Sequence, residues 1–181
     1  MTAAGVCGER LKPFGPQMTV WSARASGRSG RHAALVLPHE LGHALLARLF
    51  RLETEVTLLP SWDGDPAPLA RVNATLDADT PTPVIRAVAV APLPLALAAA
   101  WAVGAVLPPE SPLVVPVLLA LSFWGSLSSG DLAIAARPRF ARRQGEFLAP
   151  RSPTVDAVAL SLTPLTVVAV GTLLLRSATH P

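Results

Sequence analysis

The chain has 181 residues, of which 51% are hydrophobic and only 15% charged, against about 25% charged in ordinary soluble domains. With a mean hydropathy of +0.45, it is too apolar to stay disordered and has too little polar surface for a small free-standing soluble domain. The net charge of +3 rests on 14 Arg and one Lys, but these cations lie almost entirely outside the apolar runs, without aromatic interleaving and without any Tyr, which excludes a nucleic-acid surface and fits the flanks of membrane segments.

Residues 1–32 are rich in Gly, Ser and Arg and show no period, so they read as a basic flexible N-terminal arm. The arm has no apolar core of a signal peptide, and its single cysteine, Cys7, has no partner for an internal disulfide. The first apolar run, 33–50, is interrupted by His39, Glu40 and His43. Pro38 suits the first turn of a helix or makes a kink. A helix from there to residue 50 would be about 20 Å long, short of a bilayer crossing.

His39-Glu40-Leu41-Gly42-His43 is an H-E-x-x-H sequence, which chance would supply in roughly 0.003 of chains of this composition, so it is no compositional accident. On a helix, residues four apart share a face, and both imidazoles can grip one metal ion. Glu40 lies about 100° around the helix, placed to take a proton from a water that the ion activates. Two histidines and a glutamate among Leu35, Val36, Leu37, Leu41, Leu45 and Leu46 are costly unless ligated or paired.

Residues 53–76 alternate on either side of the turn signal Trp62-Asp63-Gly64-Asp65-Pro66, predicting a β-hairpin. Its edge could receive a peptide as an added strand or could simply cover the site. Three long apolar runs follow: 87–107 without a charge, 113–136 with only Asp131, and 157–175 without a charge. Each approaches the roughly 20 residues that a membrane crossing needs. If the first helix enters the bilayer without crossing it, the cations of 1–32, 48–86 and 137–154 fall on one side, as the positive-inside bias asks, and this topology is favoured over a crossing first helix.

A hydrolytic metal site needs a third ligand. Positions 46 and 49, where an extended zincin motif has Gly and His, are Leu46 and Leu49, and Glu53 and Glu55 fall in the hairpin. Asp131, in Ser128-Ser129-Gly130-Asp131-Leu132, is the remaining candidate, because an intramembrane carboxylate is a functional group by default. Its other reading is an interfacial Asp near a helix end, ahead of Arg137 and Arg139. Gly125, Ser126, Ser129 and Gly130 offer small-residue spacings that would let this helix approach the histidine helix.

Pro38-His39-Glu40-Leu41-Gly42-His43, Ala91-Pro92-Leu93 and Ser129-Gly130-Asp131-Leu132, in this order over about residues 35–136, resemble the membrane-embedded zincins related to site-2 proteases. The nearest likeness is to the small bacterial and archaeal family of zincin peptidases of unknown function. The resemblance implies His39, His43 and Asp131 as zinc ligands, Glu40 as the base, and a prokaryotic cell membrane as the location. The expectation is an all-α membrane protein: an arm over 1–32, and a zincin-like domain over 33–181 with three to four hydrophobic helices at about 33–50, 87–107, 113–136 and 155–175. A small hairpin at about 53–76 is inserted after the motif helix. The expected activity is a zinc-dependent membrane endopeptidase acting on a peptide or membrane-protein substrate, with the bilayer and no nucleic acid as partner. The alternative is a membrane protein whose metal site is structural or regulatory.

Overall fold

The computed structural model describes residues 27–58, 70–147, 149–150 and 152–176. In chain order the elements are α1 (Gly27–Leu49), β1 (Thr54–Leu58), β2 (Ala70–Ala74), α2 (Thr82–Val90), α3 (Pro92–Gly104), α4 (Val114–Gly125), α5 (Ser129–Ala136), α6 (Pro138–Gln144) and α7 (Pro153–Leu174). The chain is mostly helical with one small antiparallel sheet, the class expected from the sequence.

The first helix differs from the expectation. It begins at Gly27 rather than near 33, and Pro38 lies inside it rather than in its first turn. The end of the predicted arm is therefore helical, and residues 1–26 lie outside the described residues. At 23 residues, α1 is about 34 Å long. It closes with a Schellman turn, in which Leu52 N donates to Ala47 O and Arg51 N to Arg48 O, both at 2.9 Å. Arg51 takes the left-handed conformation, φ 61°, that this turn normally assigns to Gly.

The hairpin lies where the alternation placed it. β1 pairs with β2 in the register Thr54↔Ala74, Val56↔Val72, Leu58↔Ala70, and its expected turn, Trp62 to Pro66, lies outside the described residues. Thr75 N donates to Glu53 O at 2.9 Å. By alternation, the N–H groups of Val56 and Val72 then point away from the ladder.

Two of the expected spans are each a pair of helices. α2 and α3 meet at a 50° bend, and α4 and α5 at a 40° bend; each pair is long and apolar enough to cross a membrane only if taken as one broken span. Among the described residues, α7 alone meets that criterion as a single helix. The first break lies at Pro92, which cannot donate a backbone hydrogen bond. At the second, Ser128 begins a new helix with a capping box: its Oγ accepts from Asp131 N, and its own N–H is bonded by the Asp131 carboxylate. α6, a seven-residue helix ended by Gly145 in the left-handed conformation, φ 71°, was not expected; the arginines of 137–143 read only as a loop.

Two clusters form the core. One joins Ala47, Ala74, Leu76, Ile85, Val88, Ala133, Ile134 and Phe147, and ties α1, the hairpin, α2 and α5 together at one end. The other centres on Ala100, Leu121 and Val170, from α3, α4 and α7. Gly125 was expected to admit the histidine helix. Instead it admits α3, since a Cβ there would lie 2.6 Å from Ala96 Cβ. The approach of α1 is set by Gly42, whose absent Cβ would lie 3.3 Å from Pro92 Cα. Outside the clusters, α7 exposes Leu160, Leu165 and Val168.

Candidate metal centre

One turn of α1 separates His39 from His43, so both rings leave the same face and meet edge to face with centroids 4.9 Å apart. Asp131 comes from the first turn of α5, a chain distance of some ninety residues closed by α2, which packs against both α1 and α5. His39 Nε2 lies 3.3 Å from Asp131 Oδ2, His43 Nε2 lies 3.1 Å from Asp131 Oδ1, and the two Nε2 atoms are 3.3 Å apart. All three residues are buried, at 9%, 3% and 8% exposure, so water cannot satisfy them from outside. Phe147 closes one side, its ring 6.1 Å from that of His43.

The outer ring nitrogens fix the tautomers. His39 Nδ1 is 2.9 Å from Trp124 O, and His43 Nδ1 is 2.7 Å from Val88 O. A carbonyl oxygen only accepts, so both Nδ1 atoms carry the proton and donate it. In the neutral rings, both Nε2 lone pairs then face each other and the Asp131 carboxylate. Three acceptors at this spacing repel unless a metal ion sits among them or a ring takes up a proton and donates it to Asp131. Ligands held tetrahedrally at about 2.0–2.1 Å from zinc stand about 3.3–3.4 Å apart, close to the separations seen here. A carbonyl behind each ligating imidazole is also the usual way such a ring is oriented. The residues therefore fit a metal ion, and His39, His43 and Asp131 form a buried group able to hold one.

Asp131 lies near a helix end, as its second reading had it, and is buried against the two histidines. It is the third residue of α5, and one of its oxygens accepts from Ser128 N at 2.7 Å while its own N–H donates to Ser128 Oγ at 3.1 Å. The rotamer is thus fixed from behind. Glu40 stands beside the cluster but outside the ligand group. Its Oε2 accepts from Val72 N, on the outer edge of β2, at 3.2 Å. The hairpin thus reaches the site through a backbone N–H. Glu53 and Glu55 remain in the hairpin, exposed.

The sequence did not disclose the Val88 and Trp124 carbonyls, the Val72 N–H, or the role of Ser128. For Ser128 a signal was present: Ser-x-x-Asp is a capping-box pattern. A backbone carbonyl leaves no such mark. His32 belongs to the same helix as His39 and His43; its side chain lies outside the described ones.

No protein-family model, curated protein or solved structure matches the chain.

Proposed function

We propose that the chain is a zinc-dependent endopeptidase of the membrane, akin to the site-2-protease-like zincins that its motifs resemble. The observation that carries this reading is the convergence of two imidazole lone pairs and one carboxylate, with a second carboxylate, Glu40, held alongside and free of the ligand group. When bound by His39 Nε2, His43 Nε2 and Asp131, zinc would polarise a scissile carbonyl and acidify a water. Glu40 keeps one oxygen on Val72 N–H and has the other to receive a proton from water and return it to the leaving amine. A purely structural site would gain nothing from that carboxylate and would close its fourth position with a protein ligand.

The membrane assignment rests on α7, on the two bent pairs read as broken spans, and on the exposed apolar face of α7. Breaks in spans are tolerated where neighbouring groups take up the freed carbonyls, as His39 and His43 do here. The outer edge of β1 would offer a peptide an extended strand to pair with. Val56→Pro removes one outward N–H without touching the ladder, so it should stop cleavage and spare metal binding.

The test is zinc content of detergent-purified protein. Wild type and Glu40→Ala should each retain about one zinc per chain, and Asp131→Ala should lose it. Zinc-free wild type, or full retention by Asp131→Ala, overturns the assignment.

A further inference from the structure

We infer that Pro92 and Ser128 are positioning residues of the metal centre, each withholding from its own helix the bond that would otherwise consume the carbonyl anchoring one histidine. The inference rests on the metal-binding reading above and not on proteolysis. In an unbroken helix a carbonyl at position i accepts from the N–H at i+4. Val88 O anchors His43 at 2.7 Å, and the residue four positions on is Pro92, which has no N–H. The helix still bonds Val88 O once, from Ala91 N at 3.3 Å, a long i+3 bond that leaves the second lone pair to His43. Trp124 O anchors His39 at 2.9 Å, and the residue four positions on is Ser128. Ser128 has an N–H, but the chain leaves the helix at Ser126, φ −69° and ψ 123°, and the Ser128 N–H is taken instead by Asp131 Oδ2 at 2.7 Å.

The two breaks use different chemistry, a missing donor and a diverted one, and arrive at the same register relative to the two histidines. Breaks that served only to bend the spans could fall anywhere along them. Ser128 has a double hold. It frees the His39 anchor, and through its N–H and Oγ it fixes the Asp131 carboxylate. All three ligands are therefore oriented from behind by the two helix breaks, and only the imidazole spacing comes from α1 itself.

The two residues can be tested apart from catalysis. Pro92→Ala supplies an N–H that competes with His43 for Val88 O. Ser128→Ala removes the hydroxyl that holds the first turn of α5, while Ser128→Thr keeps it. Pro94→Ala is the control, two residues along the same helix, exposed, and four residues after Val90, whose carbonyl anchors no histidine. Dissociation constants for zinc are measured by chelator competition on the detergent-purified full chain, with the visible spectrum of the cobalt(II)-loaded protein as a report on ligand geometry. Pro92→Ala and Ser128→Ala should weaken zinc binding about 10–100-fold, the usual effect of losing an outer partner of a ligand, and should alter the cobalt spectrum. Ser128→Thr and Pro94→Ala should stay near wild type in both. Wild-type affinity and spectrum in Pro92→Ala and Ser128→Ala overturn the inference and leave the metal centre standing. An equal loss in Pro94→Ala also overturns it, since any disturbance of the helix would then suffice. A wild-type protein that binds neither ion overturns the metal centre and this inference together.

Discussion

Asp131 and Glu40 are two carboxylates at one site in different surroundings. Asp131 is 8% exposed and faces both Nε2 atoms; Glu40 faces the hairpin backbone. Asp131→Asn keeps the volume and an oxygen at the Oδ2 position for Ser128 N–H, and places an amide N–H at the Oδ1 position against the His43 lone pair. The expected result is a metal-free protein no less stable to heat than wild type, because an acceptor clash becomes a hydrogen bond, with zinc retention lost. Thermal unfolding with and without chelator, beside zinc content, checks both halves. Glu40→Gln retains an oxygen for Val72 N–H but cannot take a proton. It should keep zinc and lose about 10²–10⁴-fold in cleavage rate, the usual share of a general base. Unchanged cleavage of a membrane-protein substrate by this variant would rule Glu40 out as the base. The histidine pair and its glutamate were legible in the sequence because helical spacing alone puts them together. The carbonyls behind the rings were not, since which backbone oxygen lies opposite a side chain depends on how helices from distant parts of the chain dock.

The elements show the same division. The apolar runs at 87–107 and 113–136 marked apolar helices correctly, yet each is broken, because hydropathy measures solvent preference and not backbone continuity. Pro92 carried a visible signal for the first break. The second depends on a side chain capturing a backbone N–H, which composition does not display. The start of α1 was missed for a related reason: Gly27 to His32 lacks an apolar period, and its helix is continuous with the docked segment after Pro38. The end of α1 permits a direct test. Arg51 sits at φ 61°, where a Cβ costs roughly 1–2 kcal/mol, while glycine adds about 0.4–1 kcal/mol of unfolded-state entropy. Arg51→Gly should therefore stabilise the fold by up to about 1 kcal/mol without altering zinc content. A lower unfolding midpoint would mean that the guanidinium does more at this turn than the backbone geometry reveals.

At the scale of the whole molecule, the order of contacts along α1 sets its direction. Ala47 packs with Ile85 and Val88 at the hairpin end; then come His43 on Val88 and Gly42 against Pro92 and Leu95. Moving towards the start of α1 therefore moves along α3 and away from the hairpin. Arg48, Arg51, Arg86 and the four arginines of 137–143 cluster at the hairpin end, where Arg86 bonds Ala135 O and Arg142 bonds Thr80 O. Glu110, between α3 and α4, and Arg176, stacked on Trp101, lie at the other. If the bilayer lies between these ends, the positive-inside bias makes the hairpin end cytoplasmic. At about 34 Å, α1 has the length of a crossing but is not among the helices both long and apolar enough for one, and charge counting favours a first helix that enters without crossing. Single cysteines in a Cys7→Ser background distinguish the two arrangements. Asp77→Cys and Arg143→Cys should react with a membrane-impermeant thiol reagent from the cytoplasmic side, and Glu110→Cys and Arg28→Cys from the opposite side. Labelling of Arg28→Cys together with Asp77→Cys would return α1 to a helix that enters the bilayer without crossing it. The metal centre would then need to reach its substrate from the cytoplasmic face alone.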